Sequence, residues 1–207
     1  MTNNANSLFL KVTNKIIENK KYLTKLDSAI GDGDHGINMA KGFKVINDKL
    51  SNNNFDNMSL LFKEMAMAMI SNIGGASGPL FGTAFLSISK VTPENKIEID
   101  DLVKMGDEAI LGIKKRGKAE AGEKTMLDTI IPAVESLKKS KNNNDDLETS
   151  LDKCLEAAEK GMKSTIEMKA TKGRASYLGE RSIGHQDPGA TSSFLIIETL
   201  IKEYKNE

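Results

Sequence analysis

The sequence predicts an all-α protein, an up-and-down barrel or bundle of about eight antiparallel helices. Apolar residues recur at intervals of three and four along nearly the whole chain of 207 residues, which is the periodicity of amphipathic helices. No stretch shows the strict alternation of a half-buried strand, and short polar or glycine-containing stretches separate the periodic segments. Short connections between consecutive helices favour antiparallel neighbours.

The composition predicts one domain that covers residues 1–207 and binds neither nucleic acid nor membrane. The 29 basic and 29 acidic residues give a formal net charge of zero, so the basic excess of nucleic-acid-binding proteins is missing. No apolar run has the length of a bilayer span, and the polar N-terminus does not resemble a signal peptide. A cytoplasmic protein is therefore predicted. The single Cys154 excludes an intramolecular disulfide, and its place on an apolar helix face predicts a buried thiol.

Four helices are predicted in the first half of the chain. Apolar periodicity places them at residues 8–16, 37–50, 60–69 and 79–90. Two consecutive glycines follow the third helix and are predicted to end it. The fourth helix is short and apolar on nearly every side, so we expect it to be buried.

Four more helices are predicted in the second half of the chain. Their periodic segments lie at residues 102–113, 130–137, 151–166 and 194–204. Pro132 falls in the early turns of the second of these segments. A proline lacks the N–H that the helix interior needs, so we expect a kink or a late helix start there.

Two of the connections stand out by their composition. Residues 114–124 are strongly charged, and we interpret Lys118 and Lys124 with the neighbouring glutamates as a solvated loop. Residues 171–187 form a long stretch without regular structure, and such loops inside compact domains are usually functional. The Tyr177–Leu178 pair is apolar in these polar surroundings, which suits a lid or a docking patch.

Three aspartates within eight residues, Asp27, Asp32 and Asp34, are the candidate metal ligands. Close carboxylates repel one another when ionised, and a cation among them relieves that repulsion. Oxygen ligands suit Mg²⁺ or Ca²⁺. A calcium-binding loop starting at Asp32 would need an oxygen ligand at its fifth position and a glutamate at its twelfth, but these are Gly36 and Phe43. The pattern favours Mg²⁺ bridging to phosphate, with a solvated acidic turn as the alternative.

The glycine-rich stretch at residues 74–78 is a candidate phosphate-binding turn. It precedes the fourth predicted helix, and backbone N–H groups at a helix N-terminus bind anions with help from the helix dipole. It is not a Walker A loop, because no Gly-Lys-Ser/Thr sequence follows. A simple turn between two helices is the alternative interpretation.

The order of the motifs along the chain predicts that they meet. They lie in the connections after the first, third, fifth and seventh predicted helices. In an up-and-down bundle, alternate connections share one end. We therefore expect these sequence-distant motifs to form one site, a nucleotide site, at one rim of the bundle.

Separate stretches, in a constant order, resemble the nucleotide-binding subunit of dihydroxyacetone kinase. The resemblance extends from about residue 20 to the end of the chain. The matching stretches are LDSAIGDGDHGINM (26–39), GGASGPLFG (74–82), GKAE (117–120), KTM (124–126), GRASYLGER (173–181) and GHQDPGA (184–190). The resemblance implies a barrel of antiparallel helices with the nucleotide in its mouth.

The resemblance also implies the residues of the site. It places a pair of Mg²⁺ ions on Asp27, Asp32 and Asp34. The positions that it implies for nucleotide contact are His35, Gly36, Ile37, Asn38, Ala76, Ser77, Gly117, Thr125, Met126, Arg174, Asp187 and Pro188.

Other roles stay open for four of these residues. His35 could be a helix N-terminal residue bonded to the backbone, and Met126 could belong to the core. Arg174 could be a surface residue paired with Glu180. Asp187 is a natural N-cap of the last helix, which is compatible with a nucleotide contact.

The function that the resemblance implies is phosphoryl transfer. ADP held with two Mg²⁺ would receive a phosphoryl group from a phosphohistidine subunit of the sugar phosphotransferase system and become ATP. It would pass the group to dihydroxyacetone on a separate substrate-binding subunit. The chain itself would supply no catalytic group beyond the positioning of metal and nucleotide.

Two alternatives remain beside this function. One is the nucleotide domain of an ATP-dependent kinase of the same fold, acting on dihydroxyacetone or a fatty acid. The other is a non-enzymatic module that senses Mg²⁺ or a nucleotide. Whether two copies form a homodimer is left open, and Arg181 and His185 receive no role.

Overall fold

The computed structural model describes residues 2–53, 55, 57–94 and 96–206, of which residues 2–4 by their backbone alone. All of the regular secondary structure in these residues is helical, which confirms the predicted fold class. Met1 and Glu207 of the predicted domain lie outside the described residues. The helices are α1 (Thr2–Glu18), α2 (Lys20–Ile30), α3 (His35–Asn52), α4 (Met58–Asn72), α5 (Ser77–Ser89), α6 (Ile99–Gly117), α7 (Leu127–Asn142), α8 (Leu147–Ser164), a 3₁₀ segment (Arg174–Ser182) and α9 (Pro188–Lys205).

Eight of the helices close into a ring. From α3 to α9 each helix packs against the next one along the chain, α9 packs against α1, and α1 packs against α3. The remaining helix, α2, lies beside α3, α9 and the 3₁₀ segment. Helix α2 stands outside the ring. Its last residues lie at one end of the barrel, and that end carries the candidate site.

The main apolar core is built by helices of this ring together with α2. Phe43, Leu23 and Met39 are fully buried in the main apolar cluster, and Phe9 and Phe62 meet edge to face with their ring centroids 5.3 Å apart. A smaller apolar cluster joins α7, α8 and α9 and contains Cys154. Cys154 is buried there, which confirms the predicted buried thiol. Burial raises the pKa of this thiol to about 12, so it is unreactive at neutral pH.

The first predicted helix is in fact followed by a second one, α2, that the sequence analysis missed. Leu23, Asp27 and Ile30 form its buried face. Only a few apolar residues mark this face between several lysines, so the helical period is weak. Asp27 therefore lies in the last turn of a helix and not in an acidic loop, which gives its carboxylate a fixed position.

Two further differences from the prediction concern the helices on either side of the connection before α7. Helix α6 continues to Gly117 and ends at Lys118, whose left-handed backbone has a φ of 48°. Helix α7 begins at Leu127, with Pro132 inside it, so of the predicted kink or late start the late start is wrong. Pro132 has no N–H to donate to the carbonyl of Asp128. Helix α8 passes close to that carbonyl, since a Cβ on Gly161 would lie 2.1 Å from its oxygen.

The long connection before α9 is more ordered than predicted. Residues Arg174–Ser182 form a 3₁₀ segment that Gly179 interrupts with a φ of 56°. None of the helices in the described ranges combines the length and hydropathy of a membrane span.

Candidate functional site

A cavity of about 450 Å³ opens at the end of the barrel near α2 and the 3₁₀ segment. This volume is in the range of pockets for small ligands and cofactors. All four of the motif-bearing connections contribute to its wall, as the up-and-down order predicts. Of the predicted site residues, those that line it are Asp27, Asp32, Asp34, His35, Ala76, Ser77, Gly117, Thr125, Met126, Arg174, Asp187 and Pro188.

The three aspartates converge in one wall of the cavity. Asp27, Asp32 and Asp34 each offer a carboxylate oxygen, and these oxygens lie within 4.8 Å of one another. The turn between α2 and α3 makes this possible. A Cβ on Gly31 would lie 2.2 Å from Asp27 Oδ1, and Gly33 has a φ of 75°, so glycine is needed at both positions. The backbone N–H of His35 donates to Asp27 Oδ2 at 3.0 Å and fixes this carboxylate.

The electrostatics of the trio favour a bound cation. Burial and the neighbouring carboxylates of Asp32 and Asp27 raise the pKa of Asp34, and Asn38 and Arg174 offset only part of this effect. Three clustered carboxylate oxygens are the donor set of a hard divalent ion. The residues present therefore fit Mg²⁺.

Arg174 lies beside this trio and not beside Glu180. Its Nε donates to Asp32 Oδ2 at 2.8 Å, whereas Glu180 pairs with Lys169 at 2.8 Å. The alternative of a surface pair with Glu180 is therefore wrong. The Arg174 side chain is largely exposed, so its guanidinium can turn from the carboxylate to an anion in the cavity.

His35 is a buried link between three helices. Its Nδ1 and Nε2 lie 3.0 Å from the hydroxyls of Ser77 on α5 and Ser192 on α9. Burial lowers its pKa to about 4, so the ring is neutral at pH 7. The Ser192 hydroxyl donates to the Pro188 carbonyl, so it accepts a hydrogen bond from the ring. We therefore assign the ring proton to Nε2, and Nδ1 accepts from the Ser77 hydroxyl.

Three predicted contact residues lie beside the cavity and not in its wall. Gly36 lies at the crossing of α2 and α3, where a Cβ would come within 2.2 Å of the Lys20 carbonyl oxygen. Ile37 is 48% exposed. The Asn38 side chain hydrogen-bonds Asp34 and lowers the pKa of that carboxyl. The structure gives Gly36 a packing role, and nucleotide contact by these residues stays a prediction.

The N-terminus of α5 forms a second wall. Ala76 and Ser77 line the cavity, and Gly75 before them has a φ of 68°. The first N–H groups of a helix lack partners within the helix and carry partial positive charge. This wall faces the same cavity as the aspartates, so it suits an anion next to the metal ligands. Gly78 lies against α4 instead, with a Cβ position 2.8 Å from the Met69 carbonyl oxygen.

The other half of the cavity is largely apolar. Its wall comes from α2, α5, α6 and the connection before α7, and Gly117 lies at its edge, where a Cβ would come 3.1 Å from Leu80 Cδ2. Met126 is only 4% exposed and also belongs to the main core, so its alternative assignment to the core is correct. A flat apolar group such as a nucleobase fits this half. The apolar lining residues are Ile30, Pro79, Leu80, Phe81, Ile113, Ala119 and Met126.

Lys124 contradicts its interpretation as a solvated residue. It is 2% exposed, and its ammonium donates to the carbonyl oxygens of Thr165, Met168 and His185. Burial lowers its pKa, and the nearby Asp187 carboxylate offsets part of that shift. A lysine in a charged loop carries no periodic signal of burial, so sequence patterns could not reveal this role.

Asp187 is the N-cap of α9, as the sequence suggested. Its Oδ2 accepts from the Ala190 N–H at 2.7 Å. Burial raises the pKa of this carboxyl to about 7; the Ala190 N–H and Lys124 act against that shift, and Asp128 and Asp27 add to it.

Several residues of the cavity wall were not predicted. Arg116 and Lys172 are basic and line it, yet they lie in charged stretches where a surface position was the simpler assumption. Arg181 and His185 are exposed, and Tyr177 is 87% exposed. The lining residues that the sequence analysis did not name for the site include Gly75, Arg116, Lys124, Lys172, Gly173, Ala175 and Gly189.

The fold and the cavity together define a class: a closed bundle of antiparallel helices with a carboxylate-lined, anion-suited cavity at one end. The DAK2 domain family matches residues 29–202, and the chain belongs to this family. The chain is 46% identical, over 91% of its length and 89% of the relative, to the ADP-binding subunit of PEP-dependent dihydroxyacetone kinase 1 from Listeria innocua. It is 47% identical, over 93% of its length and 92% of the relative, to the ADP-binding subunit of the PTS-dependent dihydroxyacetone kinase from Lactococcus lactis.

Solved structures share the fold. The dihydroxyacetone kinase from C. freundii, in complex with AMP-PNP and Mg²⁺, matches 95% of the chain with a TM-score of 0.75 and 23% sequence identity. The chain spans about a third of that longer kinase chain, with 33% of it covered. At this identity the likeness establishes the helical architecture.

Proposed function

We propose that this chain is the nucleotide-carrying subunit of a dihydroxyacetone kinase. Its enzyme class is that of a phosphotransferase. An adenine nucleotide in the cavity would receive a phosphoryl group from a phosphohistidine subunit of the phosphotransferase system and give it to dihydroxyacetone on a separate subunit. The observation that carries the proposal is the junction of the aspartate trio, the α5 N-terminus and an apolar half within one cavity. The 46–47% identity to ADP-binding subunits of such kinases supports it.

The aspartate trio is the proposed metal site. Asp27, Asp32 and Asp34 would hold two Mg²⁺, because three carboxylates exceed what one hydrated Mg²⁺ usually takes from a protein. Held by these carboxylates, Mg²⁺ would supply charge neutralisation for the phosphoryl group during its transfer. The His35 N–H donates to Asp27 and would keep this carboxylate oriented towards the metal.

The phosphates would lie between the trio and the α5 N-terminus. Backbone N–H groups at Ala76 and Ser77, which line the cavity, would donate to them. Arg174 would exchange its contact with Asp32 for a phosphate oxygen, and its fork of donors suits that geometry. In this arrangement the chain binds and orients the phosphates, and none of these groups forms a covalent bond to them.

The proposed division of labour rests on how Cys154 and His35 are engaged in the structure. Cys154 is buried in the smaller cluster, away from the cavity lining. Both ring nitrogens of His35 are engaged by the hydroxyls of Ser77 and Ser192, so the imidazole presents no free lone pair to the cavity. Among the described residues that line the cavity, these features leave metal binding and positioning as the contribution of the chain to catalysis.

The experiment uses the purified chain with a pre-bound, radiolabelled nucleotide. Extensively dialysed protein is expected to retain ADP, because a ligand enclosed by four connections leaves slowly. With the substrate-binding subunit and a phosphohistidine donor present, dihydroxyacetone phosphate should form while the label stays on the protein. Free ATP in place of the donor should support little or no turnover.

A second candidate function is that of a nucleotide domain that exchanges ATP. The similarity of the fold to a kinase solved with the ATP analogue AMP-PNP favours this candidate. It requires the connection before α9 to open in every catalytic cycle. Rapid loss of the label during turnover, with rates that follow the concentration of free ATP, would support exchange and contradict retention. Binding of the nucleotide without turnover in either assay would support a sensing module.

A further inference from the structure

The connection between α8 and α9 consists of a neck and a lobe. The neck comprises residues 165–170 and 182–187, and the lobe comprises residues 171–181. The Gly184 N–H donates to the Ile166 carbonyl at 2.7 Å across the neck. The Ala170 N–H donates to Ser182 Oγ at 2.9 Å. A loop whose two ends are tied in this way moves as a unit and not residue by residue.

Lys124 lies at the centre of the neck although it comes from another connection. Its ammonium donates to the carbonyl oxygens of Thr165 and Met168 in the first segment of the neck and of His185 in the second. An ammonium has three N–H donors, so all of them are used by main-chain carbonyls. No donor remains for a phosphate, and Lys124 acts on the site through the neck.

The backbone of Lys124 supports this assignment. Its φ of 61° is left-handed, a conformation that costs a non-glycine residue free energy. Such a conformation persists where other contacts outweigh its cost, and here the buried contacts of the ammonium do so. Lys118 has a similar φ of 48° in the same connection, but its side chain is exposed.

The lobe and the neck carry five residues of the cavity wall, and two of them, Arg174 and Asp187, make side-chain contacts that bear on the site. Arg174 in the lobe reaches Asp32 at 2.8 Å, and Asp187 at the end of the neck caps α9. The Asp187 N–H donates to Thr165 Oγ1 at 3.0 Å, so the neck and the cap share one set of hydrogen bonds. Loss of the Lys124 ammonium would leave three carbonyls without this donor, and the neck would loosen.

We propose that Lys124 is a positioning residue that locks the neck and thereby holds Arg174 and Asp187 at the bound nucleotide. The proposal rests on the proposed function for the identity of the ligand. The lock makes the enclosure of the nucleotide dependent on a residue whose ammonium is fully engaged by main-chain carbonyls. It predicts that the rate of nucleotide release depends on Lys124.

The test compares Lys124→Met with the matched control Lys118→Met. Methionine keeps the length of the side chain and removes the ammonium. We expect Lys124→Met to accelerate dissociation of Mg²⁺–ADP about tenfold or more, since hydrogen bonds from a charged group are at stake. Without ligand, chymotrypsin should cut faster after the exposed Tyr177 in this variant. Lys118→Met should behave as the wild type in both measurements.

A double-mutant cycle with Arg174→Ala separates positioning from general destabilisation. If Lys124 acts through the lobe, Lys124→Met should change Mg²⁺–ADP affinity much less in the Arg174→Ala background than in the wild type. Calorimetry at 25 °C, well below unfolding, gives the four affinities. Three results would each overturn the proposal. The first is that the two substitutions weaken Mg²⁺–ADP affinity independently, so that their factors multiply in the double variant. The others are a wild-type dissociation rate in Lys124→Met and an equal loss of affinity in Lys118→Met.

Two further arms keep the test decisive. If Lys124→Met does not fold, Lys124→Arg keeps a charged donor and carries the same cycle, because a planar guanidinium cannot reproduce the three carbonyl contacts. If the wild type binds no Mg²⁺–ADP, the proposed function fails. The chymotrypsin comparison without ligand then still decides whether Lys124 locks the lobe.

Discussion

The acidic turn between α2 and α3 and the neck before α9 treat charged side chains in opposite ways. In the acidic turn, three carboxylates face one another, and the protein compensates them only in part, so the pKa of Asp34 is raised. In the neck, the Lys124 ammonium has a partner for every donor. The comparison teaches that incomplete compensation marks a place for a ligand, whereas complete compensation marks a structural joint.

Removal of the ligand should expose the incomplete half of this comparison most strongly. A ligand at about one hundred times its dissociation constant stabilises the folded state by about 2.7 kcal/mol. For a domain of this size, this corresponds to a fall in melting temperature of about 5–10 °C after treatment with a chelator and dialysis. Differential scanning fluorimetry measures the shift. An unchanged melting temperature after stripping, with no recovery on addition of Mg²⁺–ADP, would contradict the prediction.

The pH dependence of stability provides a second test, at the junction of the two regions. The pKa of Asp187 is raised from 3.8 to about 7 in the folded protein, so its contribution to stability is present below about pH 4 and is lost as the pH rises through 7. Asp187→Asn keeps an N-capping side chain and removes this titration. Between pH 5 and pH 8, the ligand-free wild type should lose about 2 kcal/mol relative to the variant. Parallel urea-unfolding profiles for the two proteins would contradict this assignment.

The smallest effect concerns the repulsion within the trio. Asp34→Asn removes one of three facing carboxylates, and we expect the ligand-free protein to gain about 1–2 °C in melting temperature, since the side chain is partly screened by solvent. The same variant should bind Mg²⁺–ADP more weakly. Asp48→Asn on the exposed face of α3 is the control and should change neither property. A lower melting temperature in Asp34→Asn would show that the trio is a structural cluster.

The same two regions explain what the sequence could predict. Asp27, Asp32 and Asp34 are close in the sequence, and their repulsion is a local property that a spacing reveals. The convergence of the motifs followed from the alternation of helices and turns alone. The acceptors of Lys124 lie 41 to 61 residues away along the chain, so its burial depends on tertiary packing that no local pattern encodes.

The glycines show the same limit from the other side. Gly36 belongs to a stretch that resembles a nucleotide site, yet the structure uses it to bring α2 and α3 together. Gly31 and Gly33, in the same stretch, shape the turn that gathers the carboxylates. A glycine in a motif can serve the ligand or the packing, and only the atoms opposite its Cα distinguish the two uses. Helix α2 was missed for a related reason, because its buried face contains the charged residue Asp27.

The central claim is that the aspartate trio binds the nucleotide through a divalent metal. Calorimetric titration of stripped protein with ADP, with and without Mg²⁺, tests it in the wild type and in Asp32→Ala. We predict that the wild type binds ADP strongly only with Mg²⁺ and that Asp32→Ala loses affinity for the metal and the nucleotide together, by about a hundredfold, or about 2.7 kcal/mol. Wild-type affinity for Mg²⁺–ADP in Asp32→Ala, or ADP binding that is independent of Mg²⁺, would contradict the account.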